Sequence, residues 1–168
     1  MSSADEGAFR AFAFTRRPSL RRTAFLLCGD WHQADDLVQT ALVKLYVAWP
    51  RVRSQDQPDA YAHRILVRCF LDERRRPWRR ESPVEVLDDV KAAAHPTEEL
   101  LDLRAALARL PRRQRATLLM RYWLDASVAQ TAEALGCSEG TVKSQTARAM
   151  STLRELLGDH ALVTEESS

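Results

Sequence analysis

Apolar residues recur at intervals of three and four through most of the chain, the spacing of helices with one buried face. The pattern is clearest from Ala34 to Trp49, and Pro50 predicts its end. The preceding segment is also periodic. There, Pro18 predicts a division into one helix up to about Thr15 and a second from about Ser19.

Three further helices follow from the same periodicity. The first runs from about Ala60 to Arg76, and the polar stretch Arg51 to Asp59 before it predicts a loop. A leucine stripe predicts the second, and the third runs from Arg112 to Trp123. The stripe consists of Leu100, Leu103, Leu107 and Leu110. Because no strand is needed anywhere, the predicted fold class is all-α.

The stretch from Ser127 to Leu157 predicts two helices joined by a tight turn. Ser127 and Gln130 form an S-x-x-Q capping box, Gly136 supplies the positive φ that ends a helix, and Ser138 caps the next one. The inward positions are Ala129, Ala132 and Leu135 in the first helix, then Val142, Thr146, Ala149, Leu153 and Leu156. The outward residues of the second helix are small, polar or basic, which is typical of a DNA-binding helix-turn-helix. A helical hairpin inside an ordinary bundle is the alternative.

Charge is distributed in blocks, although the net charge is only +2. Residues 60–80 contain seven arginines against two carboxylates, and residues 103–124 contain six arginines and no acid. Between them, residues 81–102 contain seven carboxylates against one lysine. Two basic blocks separated by an acidic one predict two polyanion-binding domains, and the unperiodic stretch 81–96 predicts a flexible acidic linker between them.

Neither catalytic nor metal-binding patterns appear in the sequence. The three cysteines are odd in number and far apart, and the four histidines are scattered: Cys28, Cys69, Cys137, and His32, His63, His95, His160. No H-E-x-x-H or glycine-rich phosphate loop is present. We therefore expect no enzyme, no cofactor, no metal and no small-molecule substrate. No apolar run approaches the length of a membrane span, so we expect a cytoplasmic protein without membrane insertion.

Four stretches, in order, carry a family resemblance: Asp35–Val52, Asp59–Arg76, Ala106–Ser127 and Ala132–Leu157. With them the chain resembles a bacterial RNA polymerase sigma factor of the extracytoplasmic-function (ECF) class, in the sigma-70 family, and is most similar to the sigma-E-like actinobacterial group. The resemblance implies sigma domain 2 over residues 1–80 and sigma domain 4 over residues 97–158. The linker at 81–96 and a polar tail at 159–168 complete the expected organisation.

The resemblance implies that the helix from Asp35 to Trp49 docks on the β′ clamp of core RNA polymerase. The contacts carried over to this chain are Asp35, Asp36, Gln39, Leu42 and Leu45. Exposed acids and amides can pair with arginines of a partner helix. The same two acids can also compensate the dipole at the helix N-terminus.

The resemblance also implies two promoter contacts. Recognition and melting of the minus-ten element fall to Arg64, Arg68, Arg74, Arg75 and Arg76, with the loop 51–59 forming a pocket for an unstacked base. Recognition of the minus-thirty-five element falls to the helix-turn-helix. Its expected contacts are Thr141, Lys143, Ser144, Gln145 and Arg148, with phosphate contacts from Arg112, Arg113 and Arg115. Relatives tend to carry arginine in place of Gln145 and asparagine in place of Arg68, so base preference at both elements is an open question.

The implied partners are core RNA polymerase, promoter DNA and an anti-sigma factor that holds the chain inactive by masking the 35–49 helix and the recognition helix. The closest rival is a dimeric helix-turn-helix regulator that binds operator DNA without polymerase. A pure protein-interaction module is a third reading. The three classes of protein differ in DNA binding: a sigma factor requires core polymerase for specific binding, a regulator does not, and an interaction module directs no promoter-specific transcription.

Overall fold

The computed structural model describes residues 1–73 and 97–165, with side chains described up to Gly158. Within those ranges the chain forms seven α-helices and one π-helical turn, and they contain no strand. The all-α prediction is confirmed. The chain divides into two compact units, Met1–Thr97 and Glu98–Ser168. The predicted linker at 81–96, like Arg74, Arg75 and Arg76, lies outside the described residues.

The first unit consists of α1 (Ser3–Cys28), α2 (Trp31–Val52) and α3 (Pro58–Asp72). All three helices contribute fully buried side chains to one core. The largest are Leu20, Leu26, Leu27, Val38, Leu45, Val52, Leu66, Val67 and Phe70. This core fixes which faces of the helices remain outside.

The predicted break at Pro18 is wrong, because α1 continues through it. Both halves of the helix are held by packing: Phe9 and Phe12 lie 5.5 and 5.1 Å from the ring of Trp49, and Leu20 is completely buried. Pro18 itself is exposed, so its missing amide costs one helical hydrogen bond on the solvent side. Tertiary packing on either side outweighs that local cost.

Pro50 likewise does not end α2, which continues to Val52. Val52 is completely buried, and the amide of Arg53 donates to the carbonyl of Trp49 at 2.9 Å. Burying Val52 and closing this last turn favour one more turn of helix after the proline. The loop before α3 is correspondingly shorter than predicted, and α3 begins at Pro58, the position in a first turn where proline is tolerated.

The second unit consists of α4 (Glu98–Ala108), α5 (Arg112–Leu118), the π-turn (Leu119–Trp123), α6 (Val128–Leu135) and α7 (Glu139–Glu165). Leu107, Ala116, Met120, Val142 and Ala149 are buried at its centre. The π-turn was not predicted. In it the amide of Leu124 donates to Leu119 at 2.9 Å, a five-residue step that widens the end of the helix before α6.

The helix-turn-helix is formed by α6 and α7, with its predicted caps. The Ser127–Gln130 capping box is present, and Gly136 has φ 64°. The inward assignment of Ala129 is wrong, because Ala129 is exposed and α6 instead buries Thr131, Ala132, Ala134 and Leu135. The backbone of α7 also continues to Glu165, so residues 159–165 of the expected polar tail are helical.

Candidate nucleic-acid interface

The N-terminus of α7 is organised by Ser138. Its hydroxyl accepts a hydrogen bond from the amide of Thr141 at 3.1 Å and lies 2.9 Å from the Thr141 hydroxyl. The remaining first-turn amides point out of the helix end, where an anion is stabilised by the helix dipole. Thr141 therefore lies in the first turn of α7, with its hydroxyl already held by the Ser138 cap.

The division of α7 into inward and outward faces is confirmed. Val142 and Ala149 are completely buried, whereas Lys143, Ser144, Ala147 and Arg148 are exposed. Lys143 and Arg148 form no ion pair within the described residues, so their charges are directed to solvent. This exposed face is basic, and its neutral residues Ser144 and Ala147 are small, which suits close approach to a DNA groove.

Gln145 lies between the two faces and is half-buried. Its Oε1 atom is buried and has no hydrogen-bond partner in the described part of the chain. Leaving a buried acceptor unpaired costs about 1–3 kcal/mol. A rotation that brings this amide oxygen to a hydrogen-bond donor outside the described residues would therefore be favourable.

The three arginines at the start of α5 have different roles. Arg115 is buried, and its Nε and Nη2 atoms donate to the carbonyls of Leu107 at 2.9 Å and Leu110 at 3.0 Å. The predicted phosphate contact of Arg115 is contradicted, because its guanidinium closes the C-terminal end of α4. Arg113 is exposed and donates from Nη2 to the carbonyl of Leu135 at 2.9 Å, whereas Arg112 is half-exposed.

Sequence reasoning missed a basic groove beside α7. Its volume is about 360 Å³, and Arg121 is fixed in its wall by donating from Nη1 to the carbonyl of Ala126 at 2.5 Å. The lining residues are Arg121, Tyr122, Val128, Lys143, Thr146, Ala147, Met150 and Arg154. A stripe at Lys143, Ala147, Met150 and Arg154 was the available signal, because these residues share one side of α7.

In the first unit, α3 and the turn before it carry the expected minus-ten residues. Arg64 is half-exposed with its guanidinium 5.5 Å from the centre of the Tyr61 ring, and Arg68 is exposed. Arg51 donates to the Tyr61 hydroxyl at 2.9 Å, and residues 53–57 between α2 and α3 are exposed. Cations and an aromatic ring thus lie together at the N-terminal half of α3. The expected contacts Arg74, Arg75 and Arg76 lie outside the described residues.

The expected polymerase-binding residues of α2 separate into three environments. Asp36 and Gln39 are exposed, and Leu42 is half-buried. Asp35 accepts two hydrogen bonds from Arg21, at 2.7 and 3.3 Å, and its side chain is only 16% exposed. Leu45 is completely buried, which contradicts a surface contact by its side chain.

Two valines on α2 were missed by the sequence reasoning. Val43 and Val47 are 64% and 77% exposed, and they follow Gln39 at four-residue steps. Together with Asp36 and Gln39 they form a surface, the α2 ridge, that is acidic and polar at one end and apolar at the other. Helical periodicity could have found them, because both valines fall outside the apolar stripe that ends at Trp49.

No cluster of three or more metal-ligating side chains occurs among the residues searched, those that the structure describes. None of the described helices is both long enough and apolar enough to cross a membrane.

Comparison with known proteins identifies the family. Residues 13–80 match the family model for Sigma-70 region 2, and residues 100–153 match that for Sigma-70, region 4. The RNA polymerase sigma-E factor of Streptomyces avermitilis is 37% identical over 152 residues, which cover 89% of this chain and 84% of the relative. The chain belongs to the ECF group of the sigma-70 family.

Other similar proteins are also sigma factors. The ECF RNA polymerase sigma factor SigM of Mycobacterium tuberculosis is 35% identical to this sigma factor, over 92% of this chain and 79% of the relative. Among solved structures, the sigma factor RpoE of Bartonella quintana, in complex with the anti-sigma factor NepR, is 28% identical with a TM-score of 0.70. That match covers 90% of this chain and 97% of RpoE.

Proposed function

We propose that this ECF sigma factor binds core RNA polymerase and directs transcription initiation at specific promoters. The observation that carries the proposal is the combination, in one chain, of a helix-turn-helix with an exposed basic face and a separate helical unit with an exposed acidic and apolar ridge. A regulator that binds operator DNA by itself needs the first feature only. A sigma factor needs both.

Residues 1–80 act as sigma domain 2 in this proposal, and the α2 ridge is the polymerase contact. Asp36 and Gln39 supply hydrogen-bonding groups for basic side chains of the β′ clamp, and Val43 and Val47 supply apolar area. Exposed apolar side chains beside polar groups offer area that a protein partner can bury. Asp35 contributes indirectly, through its ion pair with Arg21.

Recognition and melting of the minus-ten element fall to α3 and the turn before it. Arg64 and Arg68 hold the phosphate backbone of the opened strand, together with Arg74, Arg75 and Arg76. Tyr61, beside Arg64 and Arg51, offers an aromatic surface for a base. Stacking on such a surface offsets part of the cost of taking a base out of the duplex.

Residues 97–158 act as sigma domain 4, and α7 reads the minus-thirty-five element in the major groove. Lys143, Ser144, Gln145 and Arg148 face the base edges or adjacent phosphates, and Thr141 lies at the phosphate-binding helix end. Arg112 and Arg113 add phosphate contacts from the start of α5. Residues 81–96 join the two domains.

This sigma factor acts in the cytoplasm, where bacterial transcription occurs, by binding and positioning rather than by catalysis. An anti-sigma factor holds it inactive until a stimulus releases it. RpoE of Bartonella quintana, to which this chain is similar, has been solved with the anti-sigma factor NepR. The surfaces that such an inhibitor must mask here are the α2 ridge and the recognition helix.

Run-off transcription tests the proposal directly. Purified chain is added to purified core polymerase with a pool of genomic promoter fragments, and we expect transcripts from a specific subset that core polymerase alone does not produce. Specific binding of duplex DNA as a dimer without polymerase would instead identify a regulator. Binding to polymerase without any promoter-specific transcript would identify an interaction module, and either result overturns the proposal.

A further inference from the structure

The outer face of α1 carries an exposed aromatic ring between cationic side chains, and none of these residues belongs to the surfaces assigned above. Phe14 is 85% exposed, more than any other large apolar residue among those the structure describes. Arg10 and Arg17 lie four residues before and three residues after it, so the three side chains share one face of the helix. We call Arg10, Phe14 and Arg17 the α1 outer face.

The charge on this face is not neutralised within the described residues. No carboxylate occurs between Gly7 and Gly29. Arg16 and Arg21, on the same helix, are paired with Asp59 at 3.7 Å and Asp35 at 2.7 Å.

Arg10 and Arg17, by contrast, have no hydrogen bond or ion pair in the described part of the chain, and both are exposed. The helix therefore uses some of its arginines to hold the fold and presents others to solvent.

The backbone at this face also offers an acceptor. Pro18 has no amide hydrogen, so the carbonyl of Phe14 lacks the donor that a helix normally supplies four residues later. An exposed ring, two unpaired guanidinium groups and an available carbonyl favour a ligand that combines negative charge, flat aromatic surfaces and amino groups. Single-stranded nucleic acid combines all three.

We propose that the α1 outer face is an additional binding surface for single-stranded nucleic acid, in which a base stacks on Phe14 and flanking phosphates pair with Arg10 and Arg17. The inference extends the proposed function, because an initiation factor works beside opened DNA. It does not require the minus-ten residues of α3. An acidic protein segment has the charge but not the stacking surfaces, which makes it the weaker match.

Fluorescence anisotropy of a short labelled oligodeoxycytidine, whose bases carry amino groups, with the full chain tests the proposal. Phe14→Ala should weaken binding at least about five-fold, the effect of losing one base–aromatic stack. Phe14→Leu keeps the apolar character but lacks a π-face and should weaken binding similarly, whereas Phe14→Trp should preserve it. Because Phe14 is exposed, thermal unfolding should be nearly unchanged in all three variants.

The salt dependence of binding tests the phosphate contacts of Arg10 and Arg17, with a matched control variant. Replacing both Arg10 and Arg17 with Ala should lower the steepness of the salt dependence of binding by about 1.4, or about 0.7 for each phosphate contact. Arg22→Ala also removes an exposed, unpaired arginine from α1, but from outside this face, and should leave the slope unchanged. The other basic surfaces of the chain contribute equally in every variant.

Three results would overturn the proposal: wild-type affinity for Phe14→Ala or Phe14→Leu, an equal loss for Arg22→Ala, or unchanged DNA binding with weakened polymerase binding. The last would identify a protein-docking face. Failure of the proposed function is separately visible, since it appears as absent run-off transcription with wild-type protein. Normal transcription with unaltered strand binding by Phe14→Ala and Phe14→Leu refutes this inference alone.

Discussion

Arg21 connects α1 to the start of α2 through two different interactions. Its guanidinium lies 4.4 Å from the centre of the Trp31 ring, and Trp31 stacks on Phe25 with ring centres 4.0 Å apart. The same guanidinium donates two hydrogen bonds to Asp35, whose side chain is largely shielded from solvent. Bidentate arginine–carboxylate pairs fix orientation as well as adding energy. Asp35 therefore sets the position of the α2 ridge rather than forming part of its exposed surface.

Exchanging the charges of this pair separates positioning from direct contact. Asp35→Arg alone should weaken binding to core polymerase and destabilise the chain by about 2 kcal/mol, because it leaves two guanidinium groups together. Adding Arg21→Asp should restore most of both losses, because the pair is rebuilt with reversed polarity. Equilibrium binding to core polymerase and urea unfolding provide the two readouts.

Asp36→Arg serves as the control for the charge exchange. Asp36 is exposed on the ridge, so its reversal should weaken polymerase binding, and the Arg21→Asp change should not rescue it. If the exchanged Arg21–Asp35 pair regained stability without regaining polymerase binding, the Asp35 carboxylate itself would be the contact. The positioning role would then be wrong.

Cys69 differs from the other two cysteines in its surroundings. Burial in the α3 core raises the pKa of its thiol above the ordinary value of 9.0, and the positive charge of Lys44 opposes the shift only in part. Cys28 and Cys137 are half-exposed. Because the thiolate is the reactive form, we expect iodoacetamide at pH 8 to alkylate Cys28 and Cys137 well before Cys69.

Mass spectrometry of peptides across a time course measures this order. In urea the three rates should converge, because the raised pKa of Cys69 belongs to the folded state. The raised pKa also means that the unfolded thiol loses its proton first as pH rises past about 9, so this group lowers stability in that alkaline range. Early modification of Cys69 under native conditions would show that the α3 core opens.

At the scale of elements, the caps of the helix-turn-helix were predictable because they depend on residues close in sequence. The capping box at Ser127, the positive φ at Gly136 and the Ser138 cap require only local geometry. The continuation of α1 through Pro18 and of α2 through Pro50 was not predictable in the same way. There, contacts with residues distant in sequence outweigh a local helix breaker, and a single sequence does not reveal those contacts.

The Ser127 hydroxyl stabilises the start of α6. Ser127→Ala should destabilise the second unit by about 1 kcal/mol, because the amide of Gln130 loses its acceptor at 3.0 Å. Ser151→Ala, a change of the same kind at an exposed position within α7, should have little effect or be slightly stabilising. Urea unfolding followed by circular dichroism provides the comparison, and equal effects of the two substitutions would contradict the capping role.

Site residues were predicted correctly where helical spacing determines their exposure, and wrongly where exposure depends on packing against another helix. The outward face of α7 followed from helical spacing alone, because Val142 and Ala149 mark the inward side. Arg115 and Arg113 are both arginines in the same basic stretch at the start of α5. Only the guanidinium of Arg115 is buried, against the carbonyls of Leu107 and Leu110. An arginine that closes a helix end and one that faces solvent are indistinguishable until the packing partner is known.

The proposed function assigns polymerase binding and upstream promoter recognition to different compact units. The α2 ridge lies in Met1–Thr97, and the recognition helix lies in Glu98–Ser168. Substitutions on these two surfaces should therefore have separable effects. Such separation is not expected of a regulator whose single DNA-binding unit carries the whole function.

Two double substitutions test this division of labour. Lys143→Ala with Arg148→Ala should abolish use of the minus-thirty-five element, because two cations on the exposed face of α7 are lost, while affinity for core polymerase stays at the wild-type value. Asp36→Ala with Gln39→Ala should do the reverse, lowering affinity for core polymerase while leaving use of the minus-thirty-five element unchanged at protein concentrations that saturate the polymerase. All four residues are exposed, so thermal unfolding should change little.

Polymerase affinity and run-off transcription, measured for both variants, give a two-by-two comparison. If the Lys143 and Arg148 changes lowered polymerase affinity as much as the ridge changes do, the two surfaces would form one polymerase-binding site and the division would be wrong.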